Sequence, residues 1–413
     1  MGNGLIPRSS RRVAPAHGGD HMSARVSVVS LSLLLISIVS SFAAAPAIPV
    51  SDLGATVLCY HIVESPQDPR MEVSREVFRQ HMRYLAMTGY NVIPLRDLYE
   101  YAAGKRASLP PNAVVITIDD GWRSTYTEVF PEMKRRGFPF TVFIYPKIIG
   151  QTAYAMTWKQ IKEMSDAGVD IQSHTYSHAF LSRRRHPETS EQEYASWLER
   201  ELTESKRILQ KETGRAINFL AYPYGDYDRR VREAVAKSGY EAALTCEYGR
   251  VKKGSDPMRM RRVAIEKSMD FTTFRHLLGA GSLRIEGMTP EPGRVLDDPN
   301  ATMLTVTAKI PNFKNVDPRS VGMTLMSVTG SVPYAYDPQT GSITMTVKEA
   351  LKGTFQRALV WATDMKSGKR IEASWTFRLP EFQLPLKPAL GDPRMMVPAS
   401  MTHPVTQAAG TQK

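Results

Sequence analysis

Residues 113–121, Ala-Val-Val-Ile-Thr-Ile-Asp-Asp-Gly, join an apolar run to two adjacent carboxylates and a glycine. An apolar run of this length, rich in β-branched residues, predicts a strand buried on both faces. Asp119 and Asp120 then stand at its carboxyl end, where buried carboxylates are costly unless they bind something. The pair indicates either an ordinary Asp–Gly turn or a functional site.

The surrounding sequence repeats a strand–helix cycle between residues 55 and 280. Strands are predicted at Thr56–Tyr60, Asn91–Pro94, Ala113–Ile118, Phe140–Tyr145, Val169–Ser173, Ile217–Tyr222, Glu241–Thr245 and Arg262–Ile265. Apolar residues at helical spacing lie between several of them, as in Tyr194, Trp197, Leu198 and Leu202. Glycines that close helical patterns before strands are Gly89, Gly137, Gly168, Gly214 and Gly239. This order predicts an α/β fold with a parallel sheet closed, or nearly closed, into a barrel whose active site lies at the strands' carboxyl ends.

Residues 281–380 follow a different periodicity. Apolar residues alternate with polar ones in four runs, at 304–310, 343–347, 358–362 and 373–379. With turn residues at Asp337–Gly341, this predicts a small antiparallel β-sandwich. The segment Leu351–Leu379 resembles the last strands of bacterial immunoglobulin-like modules, and residues 381–413 form a Pro-rich polar tail that is predicted to be disordered.

The composition sets limits on partners and compartment. A chain of 413 residues predicts two domains plus tails. Its net charge of +12 comes from scattered basic residues without interleaved aromatics, which argues against a nucleic-acid partner and favours a basic surface or attraction to an anionic envelope polymer. Cys59 and Cys246 are the only cysteines, so either two buried thiols or one disulfide is expected.

Residues 1–47 predict an N-terminal extension and an export signal. The apolar run Val26–Val39 follows the positive Arg25, and Ala43–Ala47 offers small-residue cleavage sites. The run is short for a membrane span, although Ser40–Ala47 could extend it into an uncleaved anchor. The protein is therefore expected to be exported, and to be periplasmic, extracellular or membrane-anchored.

A second candidate constellation follows another predicted strand. His174 and His178 lie at i, i+4 spacing, which allows two imidazoles to share a metal. Together with Asp120 they form a His-His-carboxylate set, the composition of an open, catalytic zinc-type site. A third segment, Phe219–Gly225, indicates either a strand cap with a Pro–Gly turn or one wall of a pocket.

These segments resemble, in order and spacing, three motifs of the polysaccharide deacetylases, the NodB-like carbohydrate esterases. Thr117–Gly121 resembles T-F-D-D-G, Ser173–His178 matches S-H-[ST]-x-x-H, and Ala221–Gly225 resembles R-x-P-Y-G without its Arg. Over about 55–280 the resemblance implies a distorted (β/α) barrel. It also implies metal-dependent removal of acetyl groups from an N-acetylglucosamine polymer such as biofilm poly-GlcNAc, peptidoglycan or a chitin-like chain.

The resemblance further implies roles for individual residues. Asp120, His174 and His178 would be metal ligands, and Asp119 would be the catalytic base. The backbone N–H of Tyr224 would donate to the oxyanion. The expected metal is Zn²⁺, although Co²⁺ and Ni²⁺ suit the same ligands.

Departures from the family pattern raise two questions. Ala221 replaces the motif Arg, for which Arg261 or Arg262 could substitute. The expected late His motif is not evident, so His61 at the end of the first strand is the preferred general acid, ahead of His276 in a predicted helix. A Tyr–His start combined with the missing Arg resembles the subgroup acting on biofilm poly-GlcNAc.

Aromatic residues near the motifs are candidates for lining a sugar groove. The predicted substrate-binding residues are Trp122, Tyr145, Trp158, Pro223 and Tyr224. Two alternatives remain open: a non-catalytic carbohydrate- or wall-binding protein on the same scaffold, and an acetyl esterase acting on another polysaccharide such as xylan. The intact base argues against binding alone, and the β-sandwich is expected to be a spacer or a binding accessory.

Overall fold

The computed structural model of this protein describes residues 54–65, 68, 70–183, 189–296, 303–328, 332–348, 351 and 355–380. The predicted export segment and the predicted Pro-rich tail lie outside these ranges. None of the helices in the described ranges is long and apolar enough to cross a membrane.

Strands and helices alternate through the first part of the chain. The strands are β1 Thr56–Tyr60, β2 Ile62–Val63, β3 Glu72–Val73, β4 Asn91–Val92, β5 Ala113–Ile118, β6 Thr141–Ile144, β7 Asp170–Ser173, β8 Phe219–Ala221, β9 Ala242–Leu244 and β10 Val263–Ala264. The α-helices are α1 Arg75–Met87, α2 Leu95–Ala102, α3 Phe130–Arg136, α4 Trp158–Asp166, α5 Glu191–Thr213, α6 Arg229–Lys237 and α7 Phe271–Gly279. Short helical turns occur at Thr125–Val129, Pro146–Ile148, Pro223–Gly225 and Pro257–Arg259.

Eight of these strands form one parallel sheet. Its order is β10-β1-β5-β6-β7-β8-β9, with β4 paired to the start of β5. A parallel bridge from Leu244 to Met260 links the end of β9 to the segment before β10, so the sheet curls back towards its first edge. Every predicted strand run contains one observed strand, which confirms the parallel α/β prediction.

The sheet is buried on both faces because its apolar residues alternate between two clusters. Val57, Val115 and Phe143 lie in an inner cluster that the helix α2 also joins. Leu58 and Ile116 point the other way, into an outer cluster shared with α1, α3, α4 and α5. Near-continuous apolar strands are therefore required, as the sequence of β5 shows.

Local signals account for the helix ends. Ser190 caps α5 by accepting a hydrogen bond from the Glu193 N–H, and Glu193 reaches back in a capping box. The helix ends at Gly214, whose φ is 69°. The other glycines predicted to end helical patterns also have positive φ, which confirms that prediction.

The second part of the chain is built from antiparallel strands. They are β11 Gly281–Ser282, β12 Glu286–Thr289, β13 Leu304–Lys309, β14 Val316–Leu325, β15 Tyr334–Asp337, β16 Ser342–Val347, β17 Phe355–Asp364 and β18 Arg370–Arg378, with a short turn at Phe313–Asn315. Two four-stranded sheets, β11-β18-β17-β14 and β12-β13-β16-β15, contribute to one apolar cluster. The pairing of β11 with β18 is parallel and the others are antiparallel. The immunoglobulin-like sandwich remains a prediction.

Candidate active site

The carboxyl end of β5 places two carboxylates in different surroundings. The Asp119 N–H donates to the Tyr60 carbonyl at 2.9 Å and so continues the ladder with β1. Asp120 then leaves the sheet with φ 79°, and Gly121 follows with φ 96°. A Cβ at Gly121 would lie 2.9 Å from Ile149 Cδ1, the end of a flexible side chain that can shift, so the turn requires glycine mainly for its backbone conformation.

Asp119 is held in a bidentate ion pair with Arg262. The two N–O distances are 2.7 Å to Oδ1 and 2.8 Å to Oδ2, and both side chains are buried. Arg262 Nε donates to the Thr245 carbonyl at 3.1 Å. Burial alone would raise the pKa of Asp119, but Arg262, with His174 and His61, holds it below its ordinary value. Asp119 is thus an oriented, ionised carboxylate, as a general base requires.

Asp120, His174 and His178 bring three candidate ligand atoms together. Asp120 Oδ1 lies 3.2 Å from His178 Nε2 and 3.6 Å from His174 Nε2. All three atoms lie within 4.8 Å of one another. Asp120 Oδ2 accepts a hydrogen bond from the Trp122 indole at 2.8 Å. The structure therefore assembles the three predicted ligands on one side of the site.

The Nδ1 atoms of His174 and His178 each lie within hydrogen-bond distance of an oxygen atom. His174 Nδ1 lies 2.7 Å from the Ala221 carbonyl, which can only accept. Burial lowers the pKa of His174 to about 4, so near neutral pH its Nε2 presents a lone pair. His178 Nδ1 lies 3.1 Å from the Tyr224 hydroxyl, which can accept from this nitrogen or donate to it.

The third candidate ligand atom, Asp120 Oδ1, is a carboxylate oxygen. Within the described part of the chain, no donor is aligned for a hydrogen bond to the buried Asp120 Oδ1. Two imidazole nitrogens and a carboxylate oxygen therefore converge on one point. A divalent cation satisfies all three, so the donor set fits a metal.

Backbone strain is concentrated at this site. Left-handed φ values occur at Asp120 (79°), Thr175 (65°), His178 (60°) and Tyr224 (60°). The structure records only Glu64 and Asn112 as further non-glycine cases among the residues it describes. Such conformations are uncommon for residues with a side chain and tend to occur at functional sites.

A column of rings supports the turn at Tyr224. Its ring stacks on Phe180 with centroids 3.8 Å apart, and the Arg183 guanidinium lies 3.6 Å from the Phe180 centroid. The same tyrosine ring meets the His178 imidazole edge-on at 4.6 Å. Tyr224 thus contacts a metal-ligand candidate with both its ring and its hydroxyl.

His61 faces the base from the end of β1. Its Nε2 lies 3.9 Å from Asp119 Oδ2, and its side chain is 15% exposed. Its Nδ1 is buried without a hydrogen-bond partner among the described residues. The other candidate acid, His276, lies exposed on α7.

The two cysteines lie next to the same ion pair as free thiols. Cys59 Sγ is 3.4 Å from Asp119 Oδ2, and Cys246 Sγ is 4.0 Å from Arg262 Nη2. Of the two alternatives from the sequence, the structure has the thiols rather than the disulfide.

Residues 106–243 match the family model described as Polysaccharide deacetylase. The chain carries a polysaccharide deacetylase domain. The matched residues include Asp119, Asp120, His174, His178 and Tyr224, whereas His61 and Arg262 lie outside them.

Named relatives agree with this assignment. Bacillus subtilis YxkH, named as a candidate polysaccharide deacetylase, is 28% identical over 219 residues, which is 53% of this chain and 74% of that protein. The Staphylococcus epidermidis protein named poly-beta-1,6-N-acetyl-D-glucosamine N-deacetylase is 26% identical over 200 residues, 47% of this chain and 68% of the relative. A solved structure of IcaB from Ammonifex degensii covers 55% of this chain and 97% of its own, at 27% identity and a TM-score of 0.49. The family match and the two named relatives place the chain among the hydrolases that act on carbon–nitrogen bonds.

The aromatic residues predicted to bind substrate have different surroundings in the deacetylase domain. Trp122 donates to a carboxylate of the ligand set, and the buried Tyr145 ring lies 5.0 Å from a ligand imidazole. Pro223 is buried in the turn before Tyr224. Trp158 is the first residue of α4 and packs against the outer cluster. Their contact with a sugar remains a prediction.

Sequence motifs missed some contributions to the deacetylase site. The motifs assign no role to the Tyr224 hydroxyl or to the Phe180 ring. The position of an aromatic residue two places after His178 could have indicated that Phe180 packs at the site. Arg262 had been an equal candidate with Arg261, and only the fold separates them: Arg262 reaches Asp119, whereas Arg261 packs against Gly249.

Proposed function

We propose that this protein hydrolyses N-acetyl groups of a GlcNAc-containing polysaccharide and releases acetate. One observation carries the proposal: the Arg262-clamped Asp119 lies directly beside the converging atoms of Asp120, His174 and His178. The name of the staphylococcal relative makes β-1,6-linked poly-GlcNAc the first substrate to test. Peptidoglycan and chitin-like chains are the other members of the class.

The site residues have complementary tasks in this reaction. Asp120, His174 and His178 would hold a divalent cation, Zn²⁺ in our proposal, which when bound lowers the pKa of water and polarises a carbonyl. Asp119 accepts a proton from the attacking water, because Arg262 keeps the carboxylate ionised and oriented.

The remaining steps need a donor for the oxyanion and an acid for the amine. As the water oxygen bonds to the acetyl carbon, the Tyr224 backbone N–H donates to the oxyanion. His61 then gives a proton to the sugar nitrogen as the carbon–nitrogen bond breaks. The products are acetate and a free amine on the polymer.

The wider organisation is also part of this proposal. Residues 55–280 form the catalytic unit and residues 281–380 a second module with an immunoglobulin-like sandwich. The apolar segment within residues 22–47 exports the chain or anchors it to a membrane, where it meets an acetylated amino-sugar polymer.

The test measures acetate release from β-1,6 and β-1,4 GlcNAc oligomers, with and without chelator. Metal-dependent release is expected from wild type, with a loss of about 10³-fold in Asp119→Asn and His174→Ala. His276→Ala, the same change on the exposed face of α7, is the matched control and should retain wild-type activity.

Three results would contradict the proposal. Metal-loaded protein that releases acetate from no oligomer refutes N-deacetylation. Release from acetylated xylan instead selects the esterase alternative. Oligomer binding without turnover selects the carbohydrate-binding alternative.

A further inference from the structure

Strand β18 is buried on both of its faces. Ala373, Trp375 and Phe377 belong to the apolar cluster of the C-terminal sheets. Ser374, Thr376 and Arg378 alternate with them and are equally buried, although their sequence pattern suggests a solvent-exposed face. These three side chains contact loops of the deacetylase barrel instead, so β18 joins the two parts of the molecule.

Arg378 neutralises a buried carboxylate of the barrel. Its Nε lies 3.1 Å from Asp226 Oδ1, with the two side chains 4% and 0% exposed. Asp226 also accepts hydrogen bonds from Ser182, at 3.0 Å from its N–H and 2.8 Å from its hydroxyl. A fully buried carboxylate is stable only with such partners, so Asp226 depends on Arg378.

Asp226 connects the two loops that carry site residues. Its N–H donates to the Pro223 carbonyl at 2.9 Å and so closes the strained turn that contains Tyr224. Its carboxylate holds Ser182, which follows His178 in the other loop. Asp226, the partner of Arg378, is thus bonded to the loop that carries the candidate metal ligand His178 and to the turn that carries Tyr224, the predicted oxyanion donor.

A second contact reaches the loop behind the base. Glu247 Oε1 accepts from Thr376, at 3.2 Å from both its N–H and its hydroxyl, and from the Tyr227 hydroxyl at 2.6 Å. Tyr248 and Ser374 exchange hydrogen bonds of 2.6 Å and 3.1 Å. The same loop supplies the Thr245 carbonyl to Arg262, as described above.

We propose that Arg378 is a positioning residue for the deacetylase site. By pairing with Asp226, Arg378 holds the loops of His178 and Tyr224 in fixed positions relative to each other. The C-terminal module is then part of the active-site architecture and not only a spacer. This inference rests on the proposed function for its kinetic readout, but its metal-binding readout does not depend on substrate.

The test replaces Arg378 with Met, which keeps most of the side-chain volume and removes the charge. Arg378 contacts Asp226 as an ion pair, and its Nε is not aligned for a hydrogen bond among the described residues. Loss of an outer partner that helps to orient metal ligands typically costs about ten- to a hundredfold in metal affinity or activity. We expect Arg378→Met to lower kcat by about tenfold or more, with KM within about twofold, and to weaken Zn²⁺ or Co²⁺ binding by about tenfold. Arg378→Lys should recover most of both losses because it restores the charge.

Two further variants separate positioning from stability. Val360→Ala removes buried volume from β17 in the C-terminal cluster, away from the barrel loops. It should lower the Tm while kcat and the metal Kd stay at wild type. Asp226→Asn combined with Arg378→Met removes the unpaired charge, so it should fold even if the single variant does not, with kcat about three- to tenfold below wild type.

The outcomes are decisive in each arm. Wild-type kcat and metal Kd in Arg378→Met, or in the double variant if the single one does not fold, would overturn the proposal. Equal losses in Val360→Ala would overturn it too, because stability alone would then explain them. If wild type releases no acetate from any substrate, the proposed function fails, and the metal Kd of the variants still decides the role of Arg378.

Discussion

The parallel sheet has largely buried acids at both of its ends, Asp170 and Asp120, and the hydrogen bonds that they receive differ. At the amino end, Asp170 accepts from Gln172 at 2.6 Å and from Thr141 at 2.9 Å. Gln172 in turn accepts from the backbone N–H groups of Asn218 and Phe219. At the carboxyl end, Asp120 Oδ1 is buried with no aligned donor in the described part of the chain.

Polarity alone therefore does not identify the site. The amino end even has an open pocket of about 310 Å³, lined in part by Arg96 and Asp170. Its charged groups are already paired, since Arg96 makes two hydrogen bonds to Glu241. What distinguishes the carboxyl end is an unmet hydrogen-bonding demand together with strained backbone, and both indicate a ligand.

Asp120→Asn should have the largest effect on activity and an opposite effect on stability. Asn tolerates the left-handed backbone at this position, and its amide can donate to the two facing imidazoles. We expect acetate release to fall about 10³-fold with metal affinity, while the free energy of unfolding in chelator rises by about 1 kcal/mol. Denaturant unfolding and metal titration measure both, and a less stable apo variant would contradict the comparison.

Arg262→Lys should reduce both activity and stability, because this site residue is already fully paired. Lysine cannot reproduce the bidentate contact with Asp119. We expect kcat to fall about ten- to a hundredfold and the free energy of unfolding to fall by about 2 kcal/mol. Arg261→Lys is the matched control next in the chain, and it should keep kcat near wild type. An equal loss of kcat in Arg261→Lys would contradict the assignment of Arg262 as the residue that orients Asp119.

Gln172→Leu should have the smallest effect on kcat, within about twofold. The substitution keeps similar bulk but leaves two backbone N–H groups and the Asp170 carboxylate without their partner. We expect the free energy of unfolding to fall by about 3 kcal/mol. Thermal unfolding and kcat measured on the same preparation check this, and a loss of kcat comparable to that of Arg262→Lys would erase the distinction between the two ends.

Periodicity was sufficient to predict the barrel. Strands such as β1 and β5 have the predicted bounds, because an apolar run between turn residues has few alternatives. The run predicted at Ile217–Tyr222 contains only the short strand Phe219–Ala221. Ile217 and Asn218 precede this strand, and Tyr222 follows it directly before the turn that carries Tyr224. Pairing partners decide these boundaries, not residue type.

The clustering of Asp120, His174 and His178 was also predictable, because metal chemistry restricts the residue types and their spacing. The supporting residues were not, because they act across long sequence separations. Arg262 reaches Asp119 only once β10 lies beside β1, and Arg378 reaches Asp226 only once β18 packs on the barrel. Ser374, Thr376 and Arg378 of β18 follow a pattern typical of a solvated face, so their burial could not be predicted from residue type.

The position of β18 in the chain has a consequence for biosynthesis. Chains are made from the amino end, and domains fold as they emerge. Asp119, Asp120, His174 and His178 are all synthesised long before Arg378. A nascent barrel therefore holds Asp226 without its counter-ion until the last described strand has been added. If Arg378 positions the site as proposed, the deacetylase site is completed late in synthesis. A chain stopped before β18 would contain the candidate metal ligands but lack the ion pair between Arg378 and Asp226.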